Sequence, residues 1–323
     1  KEGNILFLPN SLTPKRDIRY DWQTYLPGDD SALIWQENLS FSQMPQVTNP
    51  DSGFVFSANQ TPFNVTAEAE NPKESALAPE HGFQTDMSNR AHRGLELFSA
   101  LGPMISKEEF SAIKHDKFYS PSTFYVAYLN TIAAQSFTHP SLQRAQQVLD
   151  QWDLGTDVDN TGAALGTCVF LAAERADDRE THDAQAVADL LGDCVETLLA
   201  ATGRLDPPWG EVNRHVRGDV NVPVGGGPDI LRAIYGRDLD DDGFLTNVAG
   251  DGLYYLVAWD AQGQLSVEGV HQFGSATLDE GSPHYSDQAL DYANEVLHAP
   301  LFDEDALQAN LLRAYRPGGE LGQ

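Results

Sequence analysis

The apolar positions of the chain change period twice. Up to about residue 83 they come as short runs, such as Ile5-Leu6-Phe7-Leu8, Ser31-Ala32-Leu33-Ile34-Trp35 and Phe54-Val55-Phe56, separated by Pro- and Gly-rich corners. Apolar runs bounded by turn residues predict short strands, and the polar stretch after Pro62, with Pro72 and Pro79, predicts a long surface loop. From Asp86 the spacing becomes helical, with Ala91, Leu95 and Phe98 on one face. Ser106, followed three residues later by Glu109, reads as a capping box that opens the next helix. Helical runs follow at about 121–136, 140–152, 162–178 and 181–202. Strand character returns after Asp206, where Val220-Asn221-Val222 runs into a glycine-rich turn. Tyr254–Trp259 and Leu265–Val270 then flank Asp260-Ala261-Gln262-Gly263, which predicts a hairpin. Two amphipathic helices near 286–297 and 303–314 close the chain. Strands, a helical excursion, strands and terminal helices together predict an α+β layered fold.

Composition narrows the functional classes. The chain has 323 residues, 41 % of them apolar and 10 % aromatic, enough for a sizeable core. Its 48 acidic residues against 20 basic ones give a net charge of −28. Such a surface repels phosphate backbones and anionic lipid, so neither nucleic acid nor a membrane is expected as a partner. No apolar run has the length of a membrane span. Lys1-Glu2-Gly3-Asn4 leads directly into a strand-like run, which predicts a processed or truncated piece of a longer product. Cys168 and Cys194 both lie in apolar helical stretches. They read as two buried small hydrophobes or, in an exported protein, as a bond between neighbouring helices.

A few residues carry candidate chemistry. Asn59 ends the apolar run at a polar Ala-Asn-Gln-Thr-Pro corner. Its amide has two N–H donors that a rigid corner can aim at a developing oxyanion, although Asn also caps turns for purely local reasons. His284 and Asp287 have the spacing of a helical pair that could serve as a general base and its orienter. The glycines at 225–227 lack the Lys-Ser/Thr of a phosphate cradle. Asp238, Asp240, Asp242 and Gly243 match the first half of a calcium loop, but Ala249 stands where the bidentate Glu belongs. Asp157, Asp159 and Asn160 form a shorter version. Both loops read as solvated acidic turns; for the first, a structural calcium completed by Asp251 from another geometry is the rival reading.

Several of these residues sit in motifs with a known order. The stretch Asn49-Pro50…Gly53…Asn59…Pro62 resembles a segment of the penicillin acylase family, the N-terminal-nucleophile (Ntn) amidohydrolases. So do the block Pro14-Lys15-Arg16-Asp17, Asp21-Trp22, Leu26-Pro27-Gly28, Trp35 and Pro45 before it, and Trp209-Gly210…Arg214, Pro223-Val224-Gly225-Gly226 and Ser282-Pro283-His284-Tyr285-Ser286-Asp287-Gln288 after it. Within the family the likeness is to acyl-homoserine-lactone and aculeacin-type acylases, which remove fatty acyl chains. The resemblance implies part of an αββα sandwich with a helical excursion at about 86–203. On this reading residues 1–323 are the C-terminal part of one β chain, with strands and loops at 1–83, helices at 84–205, and strands and terminal helices at 206–323. It implies that Asn59 donates to the oxyanion. Arg90, with Arg93 as its rival, orients Asn59 and the nucleophile's α-amine.

The general base in such enzymes is the nucleophile's own amine, which leaves His284 a structural, hydrogen-bonded role. The family requires no cofactor. The chain starts at Lys1 and holds no Gly-Ser or Gly-Cys junction followed by a family motif, so the nucleophile is expected upstream. The implied partners are an upstream α chain and the N-terminal part of the β chain of the same precursor. The implied substrate is a small N-acyl amide with an aliphatic acyl group, met in the periplasm or outside the cell. By itself the chain is expected to be inactive, and to be stable only when it docks against those segments or against another copy of itself. The competing reading is a non-catalytic homologue that serves as a binding or assembly module.

Overall fold

The computed structural model describes residues 3–102, 104–176, 183–237, 239, 243–311 and 313–314. They group into two units, Lys1–Asp251 and Gly252–Gln323.

In the first unit, strands β1 (Leu6–Phe7) and β2 (Val47–Thr48) form a short antiparallel pair. Between them the expected strand at 31–35 is absent, and Ser31–Leu33 is a 3-10 turn. The cause is local: the Asp30 carboxylate accepts a hydrogen bond from the Ala32 N–H at 2.9 Å and draws the chain into a turn. Ile34 and Trp35 are left exposed. Phe54-Val55-Phe56 is likewise extended without joining a sheet. Its Phe56 N–H donates to the Val65 carbonyl, and its rings pack on Phe98 instead, with the Phe54 and Phe98 centroids 5.0 Å apart and nearly parallel. Aromatic stacking holds in place what sequence alone reads as a strand.

The helical section begins with α1 (Asn89–Ala100), whose N-cap Ser88 accepts from the Ala91 N–H. In α2 (Lys107–Lys114) the expected capping box is formed, with Ser106 and Glu109 satisfying each other's backbone N–H groups at 2.8 and 3.1 Å. Helices α3 (Tyr125–Ala133), α4 (Pro140–Asp150), α5 (Ala163–Ala176) and α6 (Ala184–Thr202) follow at the predicted places. The middle of this core is α5, with Leu165, Val169, Phe170 and Ala173 fully enclosed. A helix apolar on most sides has to be buried. Phe170 stacks on Tyr125 and meets Tyr119 edge-on, with centroids 4.6 and 4.7 Å apart. Cys168 of α5 and Cys194 of α6 are joined by a disulfide, so the second of the two readings of these cysteines is the one realised.

The chain then enters the one-turn helix α7 (Trp209–Val212) and a four-stranded sheet of β3 (Asn213–Arg217), β4 (Val220–Pro223), β5 (Ile234–Gly236) and β6 (Leu245–Gly250), in the order β4-β3-β6-β5. The pairing of β3 with β6 is parallel, and the other two are antiparallel.

The second unit holds the predicted hairpin of β7 (Tyr254–Trp259) and β8 (Leu265–Val270). Its turn is tied by the Asp260 carboxylate, which accepts from the Gln262 and Gln264 N–H groups, and by Gly263 at φ 76°. The terminal helices are shorter than the periodicity suggests: α8 covers Ala289–Ala293 and α9 Glu304–Ala309. Soon after α8 the chain adopts a left-handed conformation at Glu295, φ 60°, which no helix continues through.

Candidate active site

Asn59 sits on an exposed corner in the left-handed region, at φ 64°. Asn is one of the few non-glycine residues that tolerate this conformation, and such positions gather at functional sites. The corner is held on all sides by its neighbours. The Gln60 side chain accepts from the Ala58 N–H at 2.6 Å and donates to the Asn64 carbonyl at 2.9 Å. The Thr61 N–H donates to the Asp86 carbonyl, and the Ser88 hydroxyl, at the head of α1, donates to the Ala58 carbonyl. A cleft of about 1050 Å3 is lined by Phe63, Phe83, Thr85 and Asp86 among others, and none of Asn59, Arg90 and Asp229 lines it.

Arg90, on the first turn of α1, donates from Nη1 to Asn59 Oδ1 at 3.1 Å. A guanidinium has donors only, so the amide atom facing it has to be the oxygen. Both N–H groups of Asn59 Nδ2 therefore point away from Arg90, and they have no partner among the described residues. Among the candidate pairs, this is the one that meets across the chain.

A third residue, which no motif points to, completes the cluster. Asp229, only slightly exposed and at φ 51°, accepts from Arg90 Nε at 3.1 Å through Oδ1 and from the Asn89 N–H at 2.6 Å through Oδ2. Its backbone carbonyl accepts from the Asn89 side chain at 2.6 Å, and its N–H donates to the Tyr235 hydroxyl at 3.0 Å. Asn89 in turn accepts from the Ser120 N–H. A carboxylate at the first free N–H of a helix is favourably placed against the helix dipole. Burial pushes the Asp229 carboxyl above its ordinary pKa, against the opposing pull of the Asn89 N–H and Arg90. Burial likewise raises the Tyr235 phenol.

The glycine run explains how Asp229 is presented. Gly226 has φ 99°, and a Cβ there would lie 2.3 Å from the Arg232 carbonyl oxygen, so only glycine fits. Trp209 Nε1 donates to the Gly226 carbonyl and Asn213 Nδ2 to the Val224 carbonyl, at 2.8 and 2.9 Å. The buried Tyr119 hydroxyl donates to the Pro228 carbonyl at 2.8 Å. Trp209 and Asn213, both within the Trp209–Arg214 block, thus anchor the loop that ends in Asp229.

Arg93 makes a two-pronged contact with Asp116 at 2.9 and 2.7 Å and lies over the Phe118 ring, away from Asn59. Its pairing with Asp116 raises the guanidinium pKa further. His284 and Asp287 do pair, Nδ1 to Oδ2 at 2.8 Å, and both are solvent-accessible. Asp238, Asp240 and Asp242 lie outside the described residues. Asp251 accepts from Lys114 and from the fully buried Arg232, and Asp157 pairs with Lys117. Among the described residues no three His, Cys, Asp or Glu side chains converge as a metal site.

A mixed α+β chain with an amide clamped by arginine at a strained corner is what the Ntn amidohydrolases would lead one to look for. The profile of the penicillin amidase family matches residues 1–309, and the chain belongs to that family. Among solved structures it is similar to the thermostable penicillin G acylase from Alcaligenes faecalis, at 14 % identity and a TM-score of 0.55 over 97 % of this chain. The match covers 65 % of that chain, so the present chain spans just under two thirds of its length. The likeness shows an Ntn-hydrolase fold.

Proposed function

We propose that this chain is the C-terminal part of an Ntn amidohydrolase that removes an acyl group from an N-acyl amide. Asn59 donates from Nδ2 to the tetrahedral oxyanion formed when the nucleophile attacks the amide carbonyl. Arg90 fixes Asn59 from the opposite side. The observation that carries this reading is the Arg90–Asn59 bond, which dictates the flip of the amide and leaves its donors open. The nucleophile and its activating α-amine come from an upstream segment of the same precursor, a view supported by the share of the penicillin G acylase that this chain leaves uncovered. The isolated chain is accordingly inactive as an amidase. The resemblance of the Asn49…Pro62 segment to lactone and aculeacin acylases favours an aliphatic acyl group. The Cys168–Cys194 bond supports an oxidising location, the periplasm or the exterior.

Asn59→Ala in the complete, matured enzyme tests the assignment. Removing one oxyanion donor typically lowers turnover about 10²–10³-fold. The expected result is a loss of that size in kcat on the best substrate from a panel of N-acyl amides, with the melting temperature unchanged. Near-normal turnover would remove Asn59 from the oxyanion site.

A further inference from the structure

We infer that Asp229 is the positioning residue of this site: it sets the Arg90 guanidinium, and through it the direction in which Asn59 presents its N–H donors. The inference rests on the oxyanion reading of Asn59 and extends it to a residue that the motifs leave out. An arginine side chain has four rotatable bonds, and a single bond to Asn59 would leave its fork free to swing. Asp229 removes that freedom by taking Nε, so that Nη1 is the nitrogen that reaches Asn59 Oδ1. The same carboxylate fixes the helix that carries Arg90, because its second oxygen accepts the Asn89 N–H.

Asp229 is itself held at three points. Its carbonyl is bonded to the Asn89 side chain, its N–H to Tyr235, and the preceding Pro228 carbonyl to the buried Tyr119. The left-handed backbone at Asp229 persists because these bonds over-determine it. Tethered through the 225–227 glycine loop to Trp209 and Asn213, the carboxylate brings the stiffness of the core to an exposed amide. The charged group facing it is Arg90 from α1, and the phenols of Tyr235 and Tyr119, which burial keeps neutral, are the other titratable groups nearby.

The test is a double-mutant cycle in the complete, matured enzyme. Asp229→Asn is the informative variant, because Asn tolerates φ > 0 and keeps an acceptor for the Asn89 N–H while losing the charge that holds Arg90. A misplacement of about 1 Å costs up to about a hundredfold, so kcat is expected to fall by about ten- to a hundredfold while KM changes little. In an Asn59→Ala background the same substitution is expected to cost nothing further, since the group through which Asp229 acts is already gone. A purely structural role would give equal losses in both backgrounds. That outcome overturns the inference and leaves Asn59 standing. An Asn59→Ala variant with unchanged kcat overturns the oxyanion reading and this inference with it. Should Asp229→Asn fail to fold, Tyr235→Phe removes only the acceptor of the Asp229 N–H. It is then expected to lower kcat in the wild-type background and not in Asn59→Ala, and equal losses would again overturn the inference.

Discussion

The helical core depends on a covalent link whose contribution can be worked out. Cys168 and Cys194 are 26 positions apart, and their bond joins α5 to α6. In the chain-entropy account, a closed loop of that length lowers the entropy of the unfolded chain by about 12 cal/mol/K, or about 3.5 kcal/mol at 25 °C. Cys194 is 2 % exposed, so its replacement by Ala also removes a packed sulfur. For a unit of this size, each kcal/mol moves the melting temperature by about 2–4 °C. Cys168→Ala/Cys194→Ala is therefore expected to melt about 7–14 °C below wild type by circular dichroism at 222 nm. Wild type in a phosphine reductant should fall by nearly the same amount, and the double variant should be insensitive to it. The phosphine comparison separates the bond from the packing, because reduction leaves both sulfurs in place. A wild type whose transition does not move on verified reduction would refute the loop-closure argument.

Two further substitutions separate the site from its scaffold. At Gly94, in α1, a Cβ would lie 2.9 Å from the Phe56 ring. Gly94→Ala is expected to cost about 1–3 kcal/mol by overpacking and to lower kcat by displacing the segment that leads to Asn59, read from parallel urea unfolding and single-turnover kinetics; intact stability would show that the ring simply moves aside. Arg93→Ala, which removes the charged bonds to Asp116, is expected to destabilise by about 2 kcal/mol while lowering kcat far less than Arg90→Ala does. A ranking in the opposite order would exchange the roles of the two arginines.

What the sequence made legible, and what it did not, follows from the range of the interactions. The helices α3 to α6 were readable because their period and polar turns are local, and the capping box of α2 was readable for the same reason. Arg90 could be placed above Arg93 only by likeness to a family, because both lie on one helical turn and nothing in the spacing tells them apart. The apolar run at Phe54–Phe56 was misread because its partner is a ring on α1 rather than a neighbouring strand. The run at 31–35 was misread because one acceptor, Asp30, outweighed five strand-like neighbours. Asp229 was invisible for a different reason. Its partners Asn89 and Arg90 are 140 and 139 residues away, and an acidic residue after a Gly-Gly-Gly-Pro turn looks like any surface turn.

That same separation has a consequence for how the protein is made. The contact between Asn59 and Arg90 spans 31 residues, whereas the one between Arg90 and Asp229 encloses the whole helical core. Closing a flexible loop of 139 residues rather than 31 costs only about 1.3 kcal/mol more in entropy, but contacts of long range form late in folding. The clamp is therefore complete only when the helical segments between its jaws bring Asp229 back to Arg90. A chain with a misfolded helical core would carry every residue of the site and still lack its geometry.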